Sequence, residues 1–357
     1  MRMKGVILHG GSGTRLRPLT YTDVKQLLPI AGKPVSEYAL LSLIEIGITE
    51  INIIVGEVGE KEVRDYYGDG SKWGVAISYT YQGKPLGIAH AISLTESFVN
   101  NEDFVVVLGD NYFQEGLSGL YNDFKQQDSD SLIALTEVTN PSQFGIAEVE
   151  NGKITKLVEK PKNPKSNLAI TGAYFLKPTI FPIIKVLKPS WRNELEITEA
   201  FQIMLERGMK IRYSTIDGWW KDTGTVEEFL DCNRMVLDKI NRTVPESICQ
   251  MKVSGRVNID EGVQILGETR ILGPCYIGRN TILENAYIGP YSSVGSNCNI
   301  KNTEIEDTVI MDGCLISSQD VQRISESLIG PNVQIVSSST RRTHSKFILG
   351  RDSRIEL

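Results

Sequence analysis

The chain contains 357 residues, of which 41% are hydrophobic and 23% are charged, and its formal net charge is −6. A chain of this length exceeds one hydrophobic core, so we expect two domains. The acidic balance argues against a nucleic-acid partner, which normally needs a basic surface, and no apolar run reaches the length of a membrane span. Since the N-terminus enters a strand without a signal peptide, we expect a cytoplasmic protein with no membrane partner.

The strongest motif lies near the N-terminus. The apolar run Met3 to Leu8 predicts a buried parallel strand, and the glycine-rich stretch GGSGTRLRP follows at 10–18. Glycines let backbone amides approach a ligand closely, Arg15 is a planar donor that suits phosphate oxygens, and Lys25 adds a second cation. The spacing excludes a Walker loop, which needs Gly-Lys-Ser/Thr, and a dinucleotide fingerprint, which needs glycine in place of Leu16. The stretch therefore predicts a phosphate site.

The strands and helices that follow alternate along the chain. The pattern predicts helices at 34–47, 60–67 and 88–98, and strands at 51–55, 75–81 and 104–108. Such alternation is typical of an α/β fold with a doubly wound, mostly parallel, Rossmann-like sheet. Ligands of these sheets bind beyond the carboxyl ends of the strands. Gly10, Gln82 and Asp110 each directly follow a predicted strand, so we expect them to converge.

Antiparallel strands are expected in the later part of this domain. The turn sequence Glu-Asn-Gly-Lys at 150–153 predicts a hairpin between strands at 146–149 and 154–158, and further strands are predicted at 169–174 and 210–216. Asp222 follows the last strand and precedes a helix that begins near Thr225. Glu228 lies at capping-box spacing from Thr225, which supports this helix start.

Asp110 and Asp222 form a candidate metal pair at the ends of predicted strands. The chain has only three His, and its five Cys include no CxxC pair, so hard carboxylate ligands favour Mg²⁺ held jointly with substrate phosphates. An Asp at a strand end can also cap the next helix, and from the residues alone this alternative stays open. The cysteines are interpreted as small buried hydrophobic residues: Cys232, Cys249, Cys275, Cys298 and Cys314.

A different period begins at about Val253. Aliphatic residues recur at intervals of about six, often followed by glycine, from 257–259 to 298–300. This hexapeptide pattern predicts a parallel β-helix, in which each coil stacks its aliphatic residues on the next. We therefore expect one domain at 1–242 and a β-helix domain at 243–357. Stacked β-helices often associate laterally, so a homo-oligomer formed through the second domain is expected.

The hexapeptide pattern weakens toward the C-terminus. It breaks at 317–325, which we interpret as a loop, and it resumes at 329–333. Residues 337–346 are polar and basic, and the last residues are expected to return as a terminal strand. No function is evident in this tail.

The sequences GGSGTRLRP, KQLLP and AGKPV together resemble the signature of the sugar-1-phosphate nucleotidylyltransferases. Within that family, the chain is most similar to the long glucose-1-phosphate thymidylyltransferases, whose catalytic domain precedes a left-handed β-helix. The resemblance implies Mg²⁺-dependent condensation of dTTP with glucose 1-phosphate to dTDP-glucose and pyrophosphate, by in-line attack at the α-phosphorus. Such a reaction needs positioning and charge neutralisation, because the attacking sugar phosphate is already an anion.

The resemblance also assigns roles to individual residues. It makes Arg15 and Lys25 catalytic and places the metal on Asp110 and Asp222. The nucleotide-binding residues that it implies are Leu8, Gly10, Gly11, Gly13, Thr14, Arg15, Gln82, Pro85, Gly87 and Asp110. The residues that it implies for sugar-phosphate binding are Lys25, Gly145, Glu159, Lys160, Ile170, Gly172 and Arg192.

Two residues depart from the family pattern. His9 stands where the family usually has Ala, and we expect it to pack under the loop in preference to touching nucleotide. Asn193 replaces the Gly that usually follows the phosphate-binding Arg, which leaves the conformation of that loop open.

Three alternatives remain beside the thymidylyltransferase hypothesis. UTP differs from dTTP in the base by one methyl group, so a UDP-glucose or UDP-N-acetylglucosamine pyrophosphorylase is the first. The second is an added acetyltransferase site in the β-helix. Such a site would require a His base, and no His occurs between Val244 and Thr343. A protein that binds nucleotide-sugar without turnover is the third, and the presence of two candidate metal carboxylates argues against it.

Overall fold

The computed structural model describes residues 3–11, 13–248, 250–337 and 344–356. Its internal contacts divide the chain into two units. The first unit contains the described residues before Gly13 together with Ser36–Asp222, and the second contains Gly13–Val35 and the described residues from Thr223 onwards. The segment Gly13–Val35 thus belongs with the C-terminal part of the chain, which the sequence did not predict. The domain boundary expected at residue 242 stays a prediction.

The helices and the early strands follow the predicted order. The helices are α1 Val35–Glu45, α2 Glu60–Tyr67, α3 Ile88–Ser93, α4 Glu96–Val99, α5 Ser118–Gln126, α6 Ile180–Ile184, α7 Ile197–Glu206 and α8 Val226–Lys239. The strands up to residue 222 are β1 Met3–Leu8, β2 Pro29–Ile30, β3 Lys33–Pro34, β4 Glu50–Gly56, β5 Ala76–Gly83, β6 Asp103–Leu108, β7 Asn111–Phe113, β8 Ser131–Glu137, β9 Gly145–Glu150, β10 Lys153–Glu159, β11 Leu168–Leu176, β12 Ile211–Thr215 and β13 Trp220–Asp222. None of the described helices is long and apolar enough to cross a membrane.

A mixed sheet forms the centre of the first unit. Its strand order is β10-β9-β11-β6-β1-β4-β5, and β8 pairs with both β11 and β12. Strands β6, β1, β4 and β5 are parallel, whereas β11 runs antiparallel to β6, β8 and β9. All six residues of β1 are buried, as a central strand covered on both faces requires. The predicted doubly wound α/β fold and the 150–153 hairpin are confirmed.

The prediction of a single helix at 88–98 is wrong in one respect, because the structure has two helices there, α3 and α4. The break lies at Thr95, whose backbone N–H and hydroxyl both donate to the carbonyl of Ile92. A carbonyl occupied in this way tightens the last turn and ends the regular helix. The apolar periodicity continues across the break, which explains why the sequence pattern did not reveal it.

The second unit contains the β-helix. Its strands are β14 Val253–Ser254, β15 Val257–Ile259, β16 Gln264–Leu266, β17 Arg270–Leu272, β18 Cys275–Ile277, β19 Ile282–Glu284, β20 Tyr287–Ile288, β21 Ser292–Val294, β22 Asn299–Glu306, β23 Val309–Ile310, β24 Leu315–Ser325, β25 Leu328–Ile329, β26 Gln334–Ser337, β27 His344–Ser345, β28 Ile348–Leu349 and β29 Arg354–Glu356. All the strand pairs among them are parallel, and on one face Val253, Ile271, Ile288, Ile305 and Ile324 lie in register. Stacked aliphatic side chains therefore form the core of this unit.

Near the C-terminus, one expectation fails and another holds. Residues 317–325 are not a loop, because β24 continues from Leu315 to Ser325 and pairs with β22. The coil is longer there, since Ile324 follows Ile305 by 19 residues whereas Ile305 follows Ile288 by 17. The predicted six-residue repeat consequently no longer matches the coils of the β-helix there. The terminal strand is confirmed, because β29 pairs with β26, whereas 338–343 of the polar tail lie outside the described residues.

The cysteines of the described chain are packing residues. Cys232, Cys275, Cys298 and Cys314 are buried and free, as the sequence predicted. Cys249 lies outside the described residues.

Candidate active site

A cavity of about 240 Å³ opens in the first unit. Six residues expected at the sugar phosphate line it, together with one expected metal ligand: Gly145, Glu159, Lys160, Ile170, Gly172, Arg192 and Asp222. They come from β9, β10 and the residue that follows it, β11, β13 and the loop before α7. The structure therefore brings together residues that are up to 77 positions apart in the sequence.

Glu159 is the acceptor at the floor of this cavity. It ends β10, its side chain is largely buried, and Thr198 donates to Glu159 Oε2 at 2.7 Å. Burial raises the pKa of the Glu159 carboxyl, and the Thr198 hydrogen bond opposes that rise. Lys160 follows with a positive φ of 41°, which turns the chain sharply at the end of the strand. The pair thus presents a carboxylate and an ammonium group from adjacent positions.

Two glycines allow the close packing around this acceptor. A Cβ atom at Gly145 would lie 2.6 Å from Thr198 Oγ1. A Cβ atom at Gly172 would overlap the side-chain amide of Asn111. Both positions accept only glycine without displacing a polar side chain, so the backbone of β9 and β11 stays accessible at the cavity wall.

Arg192 is surrounded by carboxylates. Its guanidinium donates to both oxygens of Glu196, from Nε at 3.0 Å and Nη2 at 2.8 Å, and Nη2 also pairs with Glu194 at 2.9 Å. The hydrogen bonds to Glu196 raise the pKa of Arg192, which stays a cation. The following Asn193 adopts a φ of 59°, a left-handed conformation that Asn tolerates better than most residues. The replacement of the usual Gly therefore preserves a left-handed turn.

Asp222 ends β13, and Asp110 directly precedes β7, the strand that pairs with β13. Strand β13 pairs antiparallel with β7 so that Asp222 faces Asn111, the residue directly after Asp110. The Asn111 side chain donates from Nδ2 to Asp110 Oδ1 at 2.7 Å and accepts from Trp220 Nε1 at 2.7 Å. Asn111 is 2% exposed, so this amide fixes the Asp110 carboxylate from within the protein. Sequence reasoning missed both Asn111 and Trp220, because their contact spans 109 residues.

This carboxylate pair fits a divalent cation that the protein holds only in part. Across the described ranges, no group of three or more His, Cys, Asp or Glu is arranged to hold a metal. Two hard oxygen ligands without a third match a site whose remaining ligands are water and substrate phosphates, as is usual for Mg²⁺. The donor set therefore agrees with the family expectation.

Gln82 and two glycines form the expected nucleotide side of the first unit. Gln82 lies within β5 and not beyond its end, which corrects the sequence expectation, because a register shift extends β5 to Gly83. Its Nε2 donates to the carbonyl of Gly87 at 3.3 Å, and a Cβ atom at Gly10 would lie 2.5 Å from its Oε1. The buried Gln82 amide thus lies against the backbone at Gly10 and Gly87.

The loop that contains Pro85 and Gly87 is fixed to the connection between α6 and α7. Gly87 has a φ of 102°, and a Cβ atom there would lie 2.5 Å from the carbonyl oxygen of Leu195. The amide of Leu195 also donates to the carbonyl of Leu86. Pro85 is exposed beside this contact, Leu8 is buried at the end of β1, and Gly11 is exposed after it. Only glycine at residue 87 allows this loop to approach the backbone at Leu195 so closely.

The remaining expected residues belong to the second unit: Gly13, Thr14, Arg15 and Lys25. Gly13 has a φ of 57° and its carbonyl accepts from Thr20 Oγ1 at 2.6 Å, which fixes the entry to the short 3₁₀ turn Thr14–Leu16. Arg15 is exposed, and its guanidinium packs on Gly224, where a Cβ atom would lie 2.6 Å from Nη2. Lys25 is 6% exposed. The structure therefore divides the expected site residues between its two units.

His9 packs inside the first unit, as expected. It is 4% exposed, and its ring meets Tyr67 edge-on at a centroid distance of 5.9 Å. Burial lowers the pKa of His9 to about 3, against an opposing effect of the Asp110 charge. A neutral, buried imidazole is a packing residue here.

The comparisons with known proteins agree with this geometry. A family model described as "Nucleotidyl transferase" matches residues 4–239, so the chain belongs to the nucleotidyl transferase family. Within it, the chain is a sugar-1-phosphate nucleotidylyltransferase. It is 41% identical over 358 residues to the glucose-1-phosphate thymidylyltransferase of Streptomyces antibioticus, covering 99% of each chain.

Two further relatives widen the comparison. The low-salt glycan biosynthesis nucleotidyltransferase Agl11 of Haloferax volcanii is 43% identical over 362 residues, which is 99% of this chain and 100% of Agl11. A UDP-glucose pyrophosphorylase solved with UDP-glucose superposes with a TM-score of 0.60 at 29% identity, over 67% of this chain and 100% of that one. The family likeness therefore includes enzymes that handle different nucleotides.

Proposed function

We propose that this chain transfers a thymidylyl group from dTTP to glucose 1-phosphate, yielding dTDP-glucose and pyrophosphate. The observation that carries the proposal is the cavity of the first unit, in which Glu159, Lys160, Arg192 and Asp222 converge. A hexose phosphate needs an acceptor for its hydroxyl groups, cations for its phosphate and a carboxylate that binds the metal. The full-length likeness to a thymidylyltransferase supports this assignment.

Glu159 and the backbone of the cavity wall recognise the sugar in this proposal. The ionised Glu159 carboxylate accepts hydrogen bonds from sugar hydroxyls, and the wall at Gly145, Ile170 and Gly172 supplies backbone groups. Thr198 donates to one oxygen of Glu159, and Arg192 Nη2 lies 3.5 Å from the other, so both oxygens of the acceptor are held in position. The sugar is thereby held by groups whose positions the surrounding packing fixes.

Three cations neutralise the sugar phosphate. Lys160 and Arg192 line the cavity, and we assign Lys25 to the same phosphate. Arg192 pairs with Glu194 and Glu196, so in this proposal phosphate binding replaces a carboxylate contact with a phosphate contact. This exchange keeps the guanidinium paired both before and after binding, and it avoids an isolated buried charge.

Arg15 and the backbone amides at Gly10, Gly11 and Gly13 hold the triphosphate, with Leu8 and Thr14 beside them. A phosphate oxygen of glucose 1-phosphate attacks the α-phosphorus of dTTP, the α–β phosphoanhydride bond breaks, and pyrophosphate leaves with the electron pair. No general base is required, because the nucleophile is already an anion. The protein contributes orientation and positive charge, which are the main terms for this chemistry.

Asp110 and Asp222 would hold Mg²⁺, with Asn111 fixing the Asp110 carboxylate. When bound, the cation supplies charge neutralisation at the α-phosphate. Family members generally use a divalent metal, and magnesium is our specific assignment.

Gln82 reads the pyrimidine in this proposal, with Pro85 and Gly87 beside it. An amide offers a donor and an acceptor together, which matches one edge of thymine or uracil. Thymine and uracil differ by one methyl group, which a hydrophobic pocket discriminates by only about 1–3 kcal/mol. UTP is therefore the second candidate nucleotide, and the likeness to a UDP-glucose pyrophosphorylase favours keeping it.

A pyrophosphate-release assay tests the proposal. The wild-type chain is mixed with Mg²⁺ and with each pair of dTTP, UTP, ATP or GTP and glucose, N-acetylglucosamine or mannose 1-phosphate. We expect fast release with dTTP and glucose 1-phosphate, slower release with UTP, and loss of release on chelation. Preference for UTP with N-acetylglucosamine 1-phosphate would instead assign the alternative pyrophosphorylase activity. No release with any pair would contradict an enzymatic function.

A further inference from the structure

The hairpin Pro29–Pro34 of the second unit has no part in the proposed chemistry, although it contains most of the family motif AGKPV at 31–35. Strands β2 and β3 are joined by Ala31 and Gly32, whose φ angles are 46° and 82°. These left-handed values form a tight hairpin turn. The amide of Ala31 donates to Asn233 Oδ1 on α8 at 3.1 Å.

Asn233 connects this hairpin to the β-helix. It is fully buried, its Nδ2 donates to the carbonyl of Tyr291 at 3.0 Å, and its Oδ1 also accepts from Ser293 Oγ at 2.7 Å. One side chain thus satisfies the hairpin turn and two positions of a β-helix coil. Removal of a buried amide with three partners leaves all three unsatisfied, which makes the connection costly to break.

A second contact lies beside the first. Gly32 packs directly on the ring of Tyr276, so closely that a Cβ atom at residue 32 would overlap the ring. The Tyr276 hydroxyl donates to Asp260 Oδ2 at 2.7 Å, which fixes the ring in its place on β18. Glycine is required at residue 32 both for the turn and for this contact.

A third contact holds the other end of the segment. Asp23 forms an ion pair with Arg351, in the turn before the terminal strand β29. The carbonyl of Pro18 faces Gly350, where a Cβ atom would lie 3.2 Å from that oxygen. The β-helix therefore contacts the segment near residue 20 and again at residues 31–32, on both sides of Lys25.

We propose that the β-helix positions the catalytic segment Gly13–Val35, and that Asn233, Tyr276 and Arg351 are positioning residues that act on the reaction through it. The inference rests on the proposed function, since that function gives Arg15 and Lys25 their roles. The segment consists of short 3₁₀ turns and one small hairpin, which are marginal structures without tertiary support. The β-helix supplies this support from outside the catalytic chemistry.

The test uses the full-length chain with Gly32→Ala and a matched control, Gly152→Ala. Both glycines follow a left-handed residue in a hairpin turn, with φ of 82° and 73°, but no atom lies within 4 Å of a Cβ placed at Gly152. Backbone strain is therefore shared, and only Gly32→Ala disturbs the contact with Tyr276. A second pair compares Arg351→Ala with Lys301→Ala, whose ion pair with Glu284 lies within the β-helix.

Hydrogen–deuterium exchange of residues 13–35 and steady-state kinetics are the two readouts. In Gly32→Ala we expect faster amide exchange in this segment and a rise in KM for the nucleotide of about tenfold, with a smaller, roughly threefold rise in Arg351→Ala. Gly152→Ala and Lys301→Ala should match the wild type in both readouts. These variants lie outside the catalytic groups, so a changed KM with an unchanged melting temperature indicates positioning.

Two outcomes would overturn the inference. Unchanged exchange in Gly32→Ala and Arg351→Ala would show that the β-helix does not hold the segment. Faster exchange with unchanged kinetics would show that the contact exists but does not serve catalysis. A wild-type chain that releases no pyrophosphate would instead contradict the proposed function, and the exchange measurement, made without substrate, keeps the two failures distinct.

Discussion

The sugar cavity and the Gly13–Val35 segment supply the proposed chemistry in different ways. The cavity is built within one unit from strand ends, and its charged groups restrain one another, with Arg192 held by Glu194 and Glu196. The segment has little regular structure, and its restraint comes from α8, the β-helix and Arg351. The cavity is thus organised by its own charges, whereas the segment depends on contacts with the rest of its unit. Substitution of Arg15 should consequently affect the nucleotide, whereas substitution of a cavity residue should affect the sugar phosphate.

Arg15→Ala gives the largest expected effect. Loss of one preorganised donor to the triphosphate should lower kcat/KM by about 10²–10³-fold, without loss of folding. The exposed Lys33 of the same segment provides the control, because Lys33→Ala removes a cation of the hairpin and should change kcat/KM little. Steady-state pyrophosphate release measures both variants. Near-normal turnover in a folded Arg15→Ala protein would contradict the role that we assign to the segment.

Arg192→Lys tests the cavity by keeping the charge and removing the planar fork. Lysine cannot contact a carboxylate or phosphate in the bidentate way that Arg192 contacts Glu196, so we expect KM for the sugar phosphate to rise about tenfold. KM for the nucleotide should stay constant. Arg207→Lys, an exposed arginine next to α7, is the matched control. Equal changes in both KM values would remove the distinction between the two regions.

Asn111→Ser separates orientation of the metal ligand from its charge. The substitution removes the hydrogen bond to Asp110 and the acceptor of Trp220, so Mn²⁺ affinity should fall about tenfold, the lower range for lost support around a ligand. Calorimetric titration of Mn²⁺ measures this without turnover. Asn122→Ser, at an exposed position of α5, should bind Mn²⁺ as the wild type does. Unchanged affinity in Asn111→Ser would leave Asn111 a packing residue only.

Glu159 predicts an acidic limit to sugar binding. Burial raises the pKa of this carboxyl above its ordinary value of 4.5, so the group takes up its proton at a higher pH than an exposed Glu. The protonated form is a poorer acceptor, and KM for the sugar phosphate should rise as pH falls through this raised pKa. Glu159→Gln should bind weakly at every pH and lose this dependence. A pH profile that is the same in both proteins would exclude Glu159 as its source.

Thr225→Ala gives the smallest expected effect. Thr225 caps α8 in a complete capping box with Glu228, and loss of the hydroxyl should cost about 1 kcal/mol of unfolding free energy. Thr225→Ser retains the oxygen and should stay near the wild type. Thermal unfolding measures the difference, and kcat should be unaffected in both. A large loss of activity in Thr225→Ala would show that α8 affects catalysis through its first turn.

Local patterns in the sequence were sufficient to predict much of the secondary structure of the first unit and of the β-helix. Glu159 and Asp222 were predicted at or just beyond the ends of strands, and the structure places both at strand ends, although the strands that carry them pair antiparallel. The hexapeptide period predicted the β-helix, and it failed at 317–325 only where one coil lengthens. The capping box at Thr225 was predicted from residue spacing alone and is confirmed.

Long-range polar contacts could not be predicted. The bond from Trp220 to Asn111 spans 109 residues, and that from Ala31 to Asn233 spans 202 residues. Neither periodicity nor composition specifies which buried amide meets which backbone group. For the same reason, no pattern in the sequence indicated that Gly13–Val35 packs with the C-terminal part of the chain.

The most direct test of the proposed function is ³¹P NMR of the products formed from dTTP and glucose 1-phosphate with Mg²⁺ and catalytic amounts of the wild-type chain. We predict that the β-phosphate signal of dTTP disappears while the paired signals of a sugar diphosphate and the single signal of pyrophosphate appear together. Formation of dTDP and inorganic phosphate would show hydrolysis at the γ-phosphate, and unchanged spectra would show no reaction. Either result would contradict thymidylyl transfer by this chain.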